Sequence, residues 1–195
     1  AMSPSGTEFT GQDINMTLTV TTKYDNQAVN SKIIATSANI SGLSLGFANG
    51  VDTFTYAAPN QSNGKESLSV SVKCVYTDDL GSIEKTASAS QTRYAPIKFL
   101  SQDNTPDSAA IVAATQKQVK SAIKGDYSIT FTSKHYVWVC IPEFLTATKF
   151  TSGGFAVPME APVNVNVTIG KTTVKYKCYR TSGMPQSSPM SLTIE

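Results

Sequence analysis

Charge is what this chain has least of. Asp, Glu, Lys and Arg make up 15% of its 195 residues, against about 25% in an ordinary soluble domain. Ser, Thr, Asn and Gln take their place, a usage typical of extracellular or virion β proteins whose outward strand positions carry hydroxyls and amides. The balance is close to neutral, at +2. It offers no basic block of the kind that nucleic-acid phosphates require. Lys117, Lys120 and Lys124 cluster, but such spacing reads as a solvated helix face.

Reactive groups are equally scarce. The single histidine, His135, stands beside Lys134 with no acidic neighbour in sequence and no G-x-S-x-G elbow anywhere. A dyad or triad needs a nucleophile, a base and an orienting carboxylate, so His135 reads as an exposed turn residue and the chain as no enzyme. Asp78-Asp79 lacks the alternating spacing of a calcium loop and reads as a turn. Gly153-Gly154 has neither the length nor the Lys-Ser/Thr of a phosphate loop. No cofactor or metal site is expected, and no ligand-binding residue is assigned. The triplets beginning at Asn15, Asn39, Asn60 and Asn166 arise by chance in a chain so rich in Asn, Ser and Thr.

Cysteine is limited to Cys74, Cys140 and Cys178. A disulfide framework wants an even set and a zinc site wants close pairs. Small buried thiols are the plain reading, and they fit a reducing compartment of synthesis. A lone Cys140–Cys178 bridge stays open, because both lie on C-terminal strands that could be neighbours. No apolar run approaches the roughly 18 residues of a membrane span, and no charged-then-apolar signal opens the chain. Ala1-Met2-Ser3-Pro4 reads as a cloning remnant, and residues 1–12 as a flexible arm.

What is present is alternation. The most apolar stretch, Tyr136-Val137-Trp138-Val139-Cys140-Ile141-Pro142, holds the only tryptophan. It reads as a strand buried on both faces and ended by proline. Ile14, Met16, Leu18 and Val20 alternate with polar residues, as do Leu68, Val70, Val72 and Cys74. Turn signals fall at Asp25-Asn26-Gln27, Asn49-Gly50 and residues 77–81, and Asn60 to Gly64 reads as a polar loop tip. Strands are expected near Ser31–Thr36, Ile40–Phe47, Val51–Ala57 and Ile83–Thr92. Six or seven short strands over residues 13–95 make an immunoglobulin-like β-sandwich the expected fold there.

Tyr94-Ala95-Pro96-Ile97 resets the chain into an extended linker. Residues 96–195 then read as a second β-sandwich with one short helix near 107–120, begun by Thr105-Pro106-Asp107-Ser108 and faced by Ala109, Val112, Gln116 and Val119. Further strands are expected at Tyr127–Phe131, Thr146–Thr151, Val163–Ile169, Thr172–Arg180 and Ser191–Ile194, with turns at Ser152-Gly153-Gly154 and Gly170-Lys171. The fold class is thus mainly β, as two consecutive β-sandwich domains. Tyr136, Trp138, Tyr176 and Tyr179 offer either a sugar-stacking face or core filling, and core filling is favoured.

Two segments carry a resemblance. One is Cys74-Val75-Tyr76-Thr77-Asp78-Asp79-Leu80-Gly81, returning to Arg93-Tyr94-Ala95-Pro96-Ile97-Lys98-Phe99. The other joins Tyr136–Pro142 to Thr151-Ser152-Gly153-Gly154-Phe155 and Val174-Lys175-Tyr176-Lys177-Cys178-Tyr179-Arg180-Thr181. Together they resemble the C-terminal β-rich modules of bacteriophage tail or head fibre and related virion structural proteins. The resemblance covers most of residues 68–195. It implies a virion appendage, often a homotrimer, that attaches to other virion proteins or to a host-surface glycan or protein, with no nucleic-acid binding and no membrane insertion. The competing expectation is a glycan- or protein-binding domain pair of a bacterial surface or secreted protein.

Overall fold

The computed structural model describes residues 2–4, 9–12, 14–19, 23–28, 32–35, 51–56, 64–114, 116–118, 121–131, 134–185 and 189–195. The protein is mainly β, with antiparallel sheets and one short helix among these residues. The chain forms two compact units. The first comprises Ala1–Thr7, Gly11–Gln61 and Glu66–Arg93, and the second Glu8–Thr10, Ser62–Lys65 and Tyr94–Glu195.

In the first unit, β1 (Met2–Pro4) pairs with β2 (Ile14–Thr19). Met2–Pro4 is therefore a sheet strand, where a flexible arm was expected. β3 (Lys23–Tyr24) and β4 (Gln27–Ala28) form a hairpin turned by Asp25 and Asn26. Both turn residues have positive φ, 46° and 60°, the geometry that two-residue hairpins demand and that Asp and Asn tolerate. β5 is Lys32–Ala35, and β6 (Val51–Tyr56) pairs with β2. The expected strand at Ile40–Phe47 and the Asn49-Gly50 turn lie outside the described residues.

β7 (Lys65–Asp78) and β8 (Gly81–Tyr94) are each 14 residues long, where short strands were expected, and β7 is flanked by β5 and β8. Asp79 and Leu80 turn the hairpin, with the Asp78 carboxylate accepting from the Leu80 amide at 2.9 Å. Alternation explains one face directly. The in-phase hydroxyls pair across the strands, Ser67 with Thr92 (3.1 Å), Ser71 with Ser88 (2.7 Å) and Thr77 with Ser82 (2.9 Å). Lys73 meets Glu84 at 2.6 Å on the same face. Cross-strand pairs of this kind contribute a few tenths of a kcal/mol up to about 1 each.

The second unit is two sheets packed face to face. Its strands are β9 (Ile97–Ser101), β10 (Gln116–Gln118), β11 (Gly125–Ile129), β12 (Val137–Pro142), β13 (Phe150–Ser152), β14 (Phe155–Ala156), β15 (Val163–Ile169), β16 (Thr172–Arg180) and β17 (Met190–Ile194). One sheet runs β10-β9-β12-β16-β15 and the other β11-β17-β13-β14. Every residue of β12 is buried. Val137, Val139 and Ile141 pack with Ile97, Phe99, Ile129 and Leu192 between the sheets. Trp138 and Cys140 enter a second core with Tyr176, Cys178 and Ile111. Each fully buried side chain of this size contributes about 1.5–3 kcal/mol. The run from Tyr136 is doubly buried because it is the middle strand of a covered sheet.

Residues 97–101 are a core strand paired with β12, with Ile97 fully buried, so the predicted linker is absent. The apolar demand of Ile97 and Phe99 wins over the local proline signal. The helix α1 spans only Ser108–Ala113, capped by Asp107, whose carboxylate accepts from the Ala110 amide at 2.7 Å; Pro106 precedes the cap. Residues 116–118 instead pair with Ile97–Phe99, so Lys117 sits on a strand and not on a helix face. The cause is visible at Val112, whose carbonyl would accept the Gln116 amide in a longer helix. It accepts the buried Lys98 ammonium at 3.0 Å. Finally, residues 146–149 are irregular and only Phe150–Ser152 extends, because Thr148 and Lys149 donate their amides to the Glu195 carbonyl.

Gly64 is also buried, with its carbonyl accepting from the Ala95 amide at 2.7 Å, where a polar loop tip over Asn60 to Gly64 was expected; residues 60–63 lie outside the described residues.

Candidate functional site

In the second unit, β12 leads in from a turn in which Lys134 has φ 68°. His135 Nδ1 lies 2.9 Å from Asp103 Oδ1, and the two side chains are 41% and 53% exposed. That exposure keeps the pair in high dielectric, where it contributes at most about 1 kcal/mol. No buried acid and no hydroxyl nucleophile joins it among the described contacts. Sequence reading missed this pairing, since the partners stand 32 residues apart and no local signal links them.

The four aromatics do not form a sugar platform. Trp138 and Tyr176 are 3% and 0% exposed. The Trp138 indole N–H donates to the Gln102 carbonyl at 3.0 Å, and the Tyr176 hydroxyl to the Pro96 carbonyl at 2.9 Å. Tyr179 turns to the opposite sheet face, its ring 5.1 Å from Phe150. Tyr136 stays half-buried, and the Arg180 guanidinium lies 4.3 Å above its ring and 6.0 Å from that of Trp138. Such stacking is worth about 0.5–2 kcal/mol. It holds a planar cation over the half-buried Tyr136 ring.

Two hollows border the same sheet. A groove of about 470 Å³ is lined by Phe99, Ser101, Gln102, Ala113, Thr130 and Phe131, and a smaller one of about 120 Å³ by Phe9, Lys98, Ile111, Val167 and Tyr176. Lys98 is the charged group of the smaller, and it is spent on the helix end. Among the described residues no cluster of His, Cys, Asp and Glu could hold a metal ion, and no helix is long and apolar enough to cross a membrane.

The titrating groups of the core are thiols and phenols. Burial pushes the Cys140 thiol well above its ordinary value of 9.0, and the adjacent Cys178 thiol adds to the effect. Burial, then the two thiols, raises Tyr176 beyond the ordinary phenol value of 10.0. The folded state thus holds protons that the unfolded chain releases, so stability is full below pH 9 and falls above it. Each group removes about 1.4 kcal/mol per pH unit once its unfolded form ionises. Urea midpoints are expected to hold between pH 7 and 8.5, then drop from pH 9 and more steeply past 10. A midpoint unchanged up to pH 11 would contradict the buried, protonated assignment.

In the first unit the feature of note is the β7–β8 hydroxyl face. It is solvent-facing, with Thr77, Ser82, Ser88 and Thr92 exposed. It ends at Leu80, whose side chain is 97% exposed. Exposed large apolar residues also mark the second unit, where the Gly153-Gly154 turn between β13 and β14 carries Phe155 at 81%. No family model, no curated protein and no solved structure matches this chain.

Proposed function

We propose that this chain is a non-enzymatic virion structural or attachment module of the tail- or head-fibre type, acting in assembly or host-surface binding. On this reading its first unit is an immunoglobulin-like module. The observation that carries the proposal is the long β7–β8 hairpin, whose outward side is a ladder of hydroxyl pairs ending in a bare leucine. A surface of that kind can hydrogen-bond a glycan or a neighbouring strand. The resemblance of most of residues 68–195 to fibre modules supports the same reading. A second reading, a glycan- or protein-binding domain pair of a bacterial surface or secreted protein, is favoured by the stacked Arg180–Tyr136 corner.

The test is the solution mass, followed by binding. Sedimentation is expected to give a particle of three 20.8 kDa chains, and the particle is expected to bind host cells or a purified virion component. Ser71→Glu with Ser88→Glu, which sets like charges opposite one another, is expected to weaken that binding at least tenfold while leaving the melt of the second unit unchanged. A monomer that binds defined glycans on an array supports the second reading against the first. Turnover of any substrate would end both.

A further inference from the structure

Antiparallel pairing places Cys140 directly opposite Cys178 on β12 and β16. The kind of pair follows from two backbone bonds in the same register. The Thr181 amide donates to the Val137 carbonyl at 2.9 Å, and the Glu143 amide to the Lys175 carbonyl at 2.9 Å. Hydrogen-bonded and non-hydrogen-bonded pairs alternate along the ladder. Since 137/181 and 143/175 are of the first kind, 139/179 and 141/177 are too, and 140/178 is of the second. Non-hydrogen-bonded partners have Cα atoms about 4.5 Å apart with side chains drawn together, inside the span a disulfide accepts. The two thiols also lie within hydrogen-bonding reach of each other. Both side chains are fully buried among Trp138, Val174 and Tyr176.

We propose that Cys140 and Cys178 are a disulfide-forming pair that closes when the chain folds in an oxidising medium, clasping the two central strands, while Cys74 stays a free thiol. The step is a thiol–disulfide exchange with a small-molecule disulfide as oxidant. One thiolate attacks the oxidant, giving a mixed disulfide and releasing one oxidant thiol. The second cysteine then displaces the other, so that one protein S–S bond forms as one oxidant S–S bond breaks. The protein loses two electrons and two protons to the oxidant's thiols. Because both sulfurs are buried, exchange occurs while β12 and β16 are still open. The proposal is independent of the virion reading.

The experiment refolds the purified chain from denaturant in an oxidised/reduced glutathione buffer and, in parallel, in excess reductant. Free thiols are then blocked, and the product is measured by intact mass, peptide mapping and thermal melting. Against the reduced and fully blocked chain, the expected product is lighter by two alkyl groups, because it carries the Cys140–Cys178 link and is alkylated at Cys74 alone. Its melting temperature is expected to rise by about 5–15 °C. A Cys74→Ser variant is expected to give the same link, and Cys178→Ser to lose the mass change. Links dominated by Cys74, absence of any link in the Cys74→Ser chain, or a linked product without a cooperative melt would each overturn the proposal.

Discussion

Replacing Gly64 by alanine is expected to lower stability by about 2–5 kcal/mol, or 10 °C or more in melting temperature for a unit of about 100 residues. Two costs combine. Gly64 has φ +86°, in the left-handed region where a side chain costs about 1–2 kcal/mol. A Cβ there would also stand 2.9 Å from Ala95 Cβ, 2.9 Å from Val174 Cγ1 and 3.3 Å from Phe144 Cε1. Val174 is fully buried, so it cannot yield without disturbing the core, and overpacking of this kind costs about 1–3 kcal/mol. Gly153→Ala separates the two terms. Gly153 has φ +56° with nothing within 4 Å of the added carbon, so only the backbone cost, about 1–2 kcal/mol, is expected. Equal losses in the two variants would show that Gly64 is not in tight contact.

Arg93→Met is expected to cost about 3–5 kcal/mol, read as a fall in urea midpoint. The Arg93 and Glu66 side chains, 3% and 0% exposed, form an ion pair within the first unit. The other Glu66 oxygen accepts from the Gly11 amide at 2.7 Å. Removing the guanidinium leaves a carboxylate in low dielectric, which is far more costly than the pair was favourable. Glu66→Gln combined with Arg93→Met keeps an acceptor for Gly11 and removes the charge, so the double variant is expected to recover most of the loss. A single variant within 1 kcal/mol of the parent would mean that water reaches the pair.

These two sites also show where sequence is readable. Periodicity identified β2, β11, β15, β16 and β17 because a period of two survives whatever the strand pairs with. The same rule marks Glu66 as out of place, since it shares the phase of Leu68, Val70, Val72 and Cys74, but it names no partner 27 residues away. Gly64 was hidden by composition. Gln61-Ser62-Asn63-Gly64 has the residues of an exposed turn, and only tertiary packing puts its last member inside. The helix was read too long for a related reason, since Lys98, invisible from 112–116, takes the carbonyl that would have continued it. The His135–Asp103 contact and the Arg180 stack lie beyond any local pattern, being made by residues that meet only when β12 has both neighbours.

The position of β17 bears on how the chain is made. Residues 190–194 lie between β11 and β13, and their Leu192 and Ile194 fill the core between the sheets. About 65 residues separate the start of β11 from that of β17. At translation rates of roughly 5–20 residues per second, the ribosome needs about 3–13 s to deliver the missing strand. Through that interval the nascent second unit has open strand edges and an uncovered Tyr127 and Ile129, so its yield in a cell depends on what keeps those edges from meeting another chain first.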